Sequence, residues 1–159
     1  MEDLWDSFAI VTGAAQGLGY AIAKAFRRRN IPVVIGGIHA SMLPDEAQPH
    51  ADAVVVGEAE ATWPSLLQDI LDGRLMPLYR ASSFIDLRDV PAPRRELLKR
   101  DADRVPATVM ATRGCPHGCS FCSTSTFFGR KYRKRNPENV AREIAALPDR
   151  LFIFVDDNL

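Results

Sequence analysis

All three cysteines of the chain, Cys115, Cys119 and Cys122, fall within eight residues. Three thiols cannot all pair inside one chain, so a disulfide-stapled fold is excluded. The segment Cys115-Pro116-His117-Gly118-Cys119-Ser120-Phe121-Cys122 has the spacing C-x3-C-x2-C. Three thiolates on one short loop can take three corners of an iron–sulfur cubane, leaving the fourth iron without a protein ligand. An open metal position is what a substrate-binding centre needs. Gly114 and Gly118 allow the backbone to curl around a bulky inorganic core, and Pro116 restricts the loop beforehand. Two alternatives stay open. Zinc held by the three cysteines and His117 would strain a tetrahedral site, because His117 lies inside the first cysteine pair. A thioredoxin-like use of Cys119 and Cys122 would leave Cys115 idle.

The chain has 159 residues, room for one ordinary domain or two small ones, and its 47% hydrophobic and 25% charged residues are those of a globular protein. A net charge of zero excludes a globally basic nucleic-acid binder. The halves differ: residues 1–80 carry 6 basic and 10 acidic side chains, residues 81–159 carry 14 and 10, which points to two units with different ligands. No run approaches the roughly 18 apolar residues of a membrane span. The start, Met1-Glu2-Asp3-Leu4-Trp5-Asp6, is acidic where a signal peptide needs positive charge. A cytoplasmic, reducing location with no membrane partner is the expectation.

Short apolar runs alternate with helical periodicity. Strands are expected at 8–12, 32–35 and 53–56, each stopped by glycine. A helix is expected with Leu18, Ala21, Ile22, Ala25 and Phe26 as its apolar stripe, and another with Trp63, Leu66, Leu67, Ile70 and Leu71, stopped at Gly73. That rhythm predicts an α/β fold with a parallel sheet. Residues 81–105, with Pro91, Pro93 and mixed charges, read as an irregular linker. Order resumes with a strand at 108–112, then a helix capped by Asn136 with Pro137 at its first position and Val140, Ile144 and Leu147 along one stripe. A buried strand is expected at 151–155. The basic run Arg130-Lys131-Tyr132-Arg133-Lys134-Arg135 reads as a solvated face or as balance for an anionic cofactor, in preference to a nucleic-acid surface.

The cysteine loop resembles that of the radical S-adenosylmethionine (SAM) enzymes, down to the aromatic Phe121 before the last cysteine. With Thr112-Arg113-Gly114-Cys115-Pro116 before it and Phe127-Phe128-Gly129-Arg130-Lys131-Tyr132-Arg133 after it, the chain is similar to radical SAM proteins that carry a cobalamin (B12)-binding domain in front. The resemblance implies a [4Fe–4S] cluster on Cys115, Cys119 and Cys122, with SAM chelating the open iron. It implies SAM contacts from Phe121 and from Asp156 and Asp157, which follow the last strand. It further implies reductive cleavage of SAM to a 5′-deoxyadenosyl radical, an electron donor such as flavodoxin or ferredoxin, and a small-molecule substrate. An acid cap for a following helix is the alternative role of the aspartate pair.

In the front half, Gly36-Gly37-Ile38-His39-Ala40-Ser41 follows a buried strand and so lies at the carboxyl edge of the sheet, where open parallel sheets bind ligands. With Leu43-Pro44-Asp45-Glu46-Ala47 and Gly57-Glu58-Ala59-Glu60, it resembles the second half of the cobalamin domain. Thr12, Gly36, Gly37 and Gly57 are the cobalamin-facing positions that this implies, with cobalamin as methyl carrier or redox partner. No Asp-x-His-x-x-Gly motif is present. The expected organisation is a partial Rossmann-like, flavodoxin-like B12 domain at 1–80, a linker at 81–105, and the first strands and helix of a radical SAM β/α barrel at 106–159. A full barrel takes about 250 residues, so the chain reads as a fragment, inactive by itself. A competing signal is Thr12-Gly13-Ala14-Ala15-Gln16-Gly17-Leu18-Gly19, which fits the Thr-Gly-x3-Gly-x-Gly turn of NAD(P)-binding short-chain dehydrogenases. Against it, Gly36-Gly37 occupy the region of the expected ribose-binding acid.

Overall fold

The structure, a computed structural model, describes residues 8–14, 16–88, 90–97, 107–148 and 151–157. The acidic start at 1–6 and residues 98–105 of the expected linker lie outside the described residues. The chain divides into two compact units, Met1–Ile85 and Asp86–Leu159.

In the first unit, β1 (Ala9–Thr12), β2 (Val33–Gly36), β3 (Ala53–Val56) and β4 (Leu78–Arg80) form a parallel sheet in the order β1-β2-β3-β4. The connections carry α1 (Gly17–Arg27), then α2 (Ile38–Met42) and α3 (Pro44–Ala47), then α4 (Trp63–Leu71). Val33 and Ile35 of β2 join Ala23, Ala40 and Ala47 on one face. Val34 joins Val55, Leu66 and Tyr79 on the other. This two-faced burial explains why the strands read as continuous apolar runs. Because α4 lies on the face opposite α1 and α2 while the strand order keeps advancing, the β3–α4–β4 connection has the opposite hand to the two before it. Such units overwhelmingly share one hand, and this one is held by specific bonds. The Tyr79 hydroxyl donates to Asp69 Oδ2 at 2.8 Å and accepts the Met76 N–H at 3.0 Å.

One expectation changes here. The stripe assigned to the first helix is turned outward at Leu18, 77% exposed, and at Ala21 and Ile22, while its far end, Phe26, packs against the core beside the buried Ala23. A Cβ on Gly19 would overlap the Gly13 carbonyl. The first turn of the helix therefore sits so close to the turn after β1 that position 19 has no room for a side chain.

The second unit has β5 (Ala107–Val109) parallel to β8 (Phe152–Phe154), and β6 (Thr112–Arg113) antiparallel to β7 (Arg133–Lys134). The helices are α5 (Thr124–Phe127) and α6 (Pro137–Ala145). The Asn136 side chain accepts the Glu138 N–H at 2.9 Å, the cap expected from the sequence. The single strand expected at 108–112 is two strands in two sheets, because the backbone between them bonds elsewhere. Ala111 N–H goes to Asp156, Ala111 C=O accepts from Arg135 N–H at 2.8 Å, and Met110 C=O accepts from the Arg135 guanidinium at 2.9 Å. The strand expected to be buried at 151–155 is instead open, with Ile153 49% exposed. Among the described residues, no helix is long and apolar enough to cross a membrane.

Candidate metal centre

The cysteine loop is closed at its neck. β6 and β7 pair Thr112 with Lys134 and Arg113 with Arg133, so the intervening segment leaves and returns at one place. Cys115 N–H donates to Gly129 C=O at 3.3 Å. Gly114 holds φ +87, and a Cβ there would overlap the Lys131 carbonyl. Both the dihedral and the close approach require glycine.

Within the loop, Cys122 N–H donates to Cys119 C=O at 3.2 Å, a turn that sets the second cysteine pair. All three thiols are free, Cys115 and Cys122 half-buried and Cys119 exposed. Cys122 stands at the start of α5. The Thr124 hydroxyl and backbone N–H bond its sulfur and hold its pKa below the ordinary thiol value, assisted by Ser125 N–H and opposed by burial and the Asp157 carboxylate. Among the described residues, no three His, Cys, Asp or Glu side chains converge on one ion. Three soft thiols on one loop are the donor chemistry of an iron–sulfur cluster or of zinc, and His117 is exposed. The donor chemistry suits a cluster, and Cys119 is as exposed as His117.

The two aspartates separate. Asp156 turns inward: its carboxylate accepts Ala111 N–H at 3.1 and 3.2 Å and the Thr112 hydroxyl. Asp157 faces the cysteine loop, with Thr124 Oγ1 at 3.4 Å from Oδ1. Phe121 is 91% exposed, an aromatic face open to a ligand.

Beneath the neck lies a buried charge cluster that sequence reading missed. Glu143 bridges Arg135 and Arg95, each at 2.7 Å, and Arg95 also donates to Thr108 C=O at 2.5 Å. The signal was available: Glu143 sits three residues after Val140, on the buried side of α6. Arg135 is buried and Arg133 bonds Phe128 C=O at 3.1 Å, so the basic run is not a uniformly solvated face.

In the first unit, Thr12, Gly36 and Gly57 end or follow β1, β2 and β3, so they line the carboxyl edge together, with Gly37 as the N-cap of α2. Gly57 N–H donates to the Ser41 hydroxyl at 2.9 Å. A cavity of about 280 Å³ opens beside Gly36, lined also by Gly13, Tyr20, His39, Glu46 and His50. Tyr20 and Lys24, whose spacing matches the dehydrogenase pair, lie on α1, with the ammonium 5.7 Å from the ring centroid.

Residues 109–157 match the radical SAM superfamily. The chain is 39% identical over 131 residues to the bacteriochlorophyllide d C-8(2)-methyltransferase of Chlorobaculum tepidum, covering 79% of this chain and 29% of that protein. It is 35% identical to the bacteriochlorophyllide d C-12(1)-methyltransferase of the same organism, covering 88% and 33%. With the hopanoid C-3 methylase of Methylococcus capsulatus it shares 31% identity, covering 77% and 28%. The chain thus spans about a third of the length of these relatives or less.

Proposed function

The chain belongs to the radical SAM superfamily, and from that premise we propose that it is the part of a cobalamin-dependent methyltransferase that holds a [4Fe–4S] cluster and binds SAM. The carrying observation is the closed loop that presents three free thiols, Cys115, Cys119 and Cys122, from one neck. Held by Cys115, Cys119 and Cys122, a cluster would supply the one-electron reduction that cleaves the sulfonium C–S bond of SAM to methionine and a 5′-deoxyadenosyl radical.

The chain's own residues bind and orient. Cys122 offers a thiol already biased toward the ligating thiolate by Thr124. Phe121 offers its open ring to the adenine. Asp157, on the loop side, offers a carboxylate to the SAM amino group. Asp156 sets the backbone from which the loop departs. The methyl-transfer part of the reading rests on the names of the relatives. The cobalamin part, with the Rossmann-like arrangement it requires, rests on the glycine-lined carboxyl edge and its cavity. A substrate of its own, and a flavodoxin- or ferredoxin-type donor, complete the proposal for the longer protein.

Anaerobic reconstitution of the 159-residue chain tests it. The expected product is brown and holds about four irons, and SAM changes its electron paramagnetic resonance (EPR) spectrum when the cluster is reduced. Cys115→Ala, Cys119→Ala and Cys122→Ala each lose the cluster. A colourless zinc protein, or full iron in Cys119→Ala, overturns the reading.

A further inference from the structure

The Arg130 guanidinium lies against Gly118, inside the segment between the first two cysteines. A Cβ on Gly118 would stand 3.3 Å from Nη2, 3.5 Å from Cζ and 3.7 Å from Nη1 of Arg130. The other charges at the neck are differently engaged. Arg113 places its guanidinium 6.0 Å from the Phe128 ring centroid. Asp86 is held low chiefly by Arg88, with Lys131 the smallest contributor. Asp157 puts negative charge beside Cys122. Arg130 is thus a cation set on the Cys115–Cys119 side, opposite in sign to Asp157 on the Cys122 side. Gly118 lacks the side chain that would push it away.

We propose that Arg130 is a positioning residue that tunes the reduction potential of the cluster through its placement against Gly118. The inference rests on the cluster reading above. One-electron reduction adds a negative charge to a group already bound by three thiolates. A cation on the same loop therefore stabilises the reduced form more than the oxidised one, and local charge is a principal determinant of cluster potential. Arg130 is exposed, so salt screens part of the effect.

EPR-monitored redox titration of the reconstituted full chain, without SAM, reads the effect directly. Arg130→Gln shifts the midpoint to more negative potential at unchanged iron content, and Arg130→Lys recovers most of the shift. Gly118→Val, which displaces the guanidinium while keeping its charge, shifts the midpoint in the same direction. The difference between wild type and Arg130→Gln narrows as salt is raised. Equal midpoints for wild type and Arg130→Gln at equal iron content overturn the assignment alone. A wild-type chain that takes up no iron overturns the cluster reading and the assignment with it.

Discussion

The Asp156 carboxylate accepts the backbone N–H of Ala111 at 3.1 Å, joining the end of β8 to the break between β5 and β6. The same carboxylate takes the Thr112 hydroxyl. One side chain therefore fixes the point at which the chain leaves the parallel pair and enters the neck of the cysteine loop. Removing the acceptor strands a part-buried donor, so Asp156→Ala is expected to cost about 1–3 kcal/mol. Thr112→Val shares that loss, and a double-mutant cycle by urea unfolding should return a coupling of roughly 0.5–3 kcal/mol. Strictly additive effects would show that the tie is idle.

Cys122 should react ahead of an ordinary thiol as pH rises. Its pKa lies below the usual value, chiefly through the Thr124 hydroxyl. The thiolate is the reactive form, so the pH midpoint for alkylating Cys122 in the cluster-free chain falls below the ordinary thiol range. Thr124→Ala removes the leading cause and moves the midpoint upward. Asp157→Asn removes an opposing charge and moves it downward. Peptide mapping after timed iodoacetamide labelling measures both, and a Thr124→Ala profile identical to wild type contradicts the geometry.

The two neighbouring glycines at the end of β2 make unequal probes of cobalamin binding. Gly37 holds φ +103, so any side chain there strains the backbone, by about 1–3 kcal/mol. At Gly36 a Cβ meets only ordinary contacts, the nearest being Val55 Cβ at 3.6 Å. Gly36→Ala should leave the thermal midpoint near wild type while weakening hydroxocobalamin binding in equilibrium dialysis. Unchanged binding in a stable Gly36→Ala protein removes Gly36 from the cobalamin surface.

Glu143→Ala leaves the Arg135 guanidinium buried without its partner. A broken buried pair of this kind costs about 3–5 kcal/mol, which should appear as a large drop in the denaturation midpoint. Replacing Arg95, Arg135 and Glu143 together by apolar residues should recover part of the loss, because apolar packing substitutes well for a buried ion cluster. If the triple variant is no better than Glu143→Ala, the three side chains do not act as one cluster.

The cysteine spacing, the alternation of apolar runs with helices and the Asn136-Pro137 cap were legible in the sequence. Each depends on residues close together in the chain: ligand reach along a loop, burial on both faces of a strand, one side chain bonding a nearby amide. What lay beyond reach were choices between distant partners. The outward turn of Leu18 follows from how closely Gly19 meets the Gly13 carbonyl. The division of 108–112 into two strands follows from bonds to Asp156 and Arg135, up to 45 residues away. The separation of Asp156 from Asp157 is of the same kind. The chain bends at Asp157 beyond β8, so one carboxylate meets Ala111 and the other the cysteine loop, and only the placement of those elements decided which.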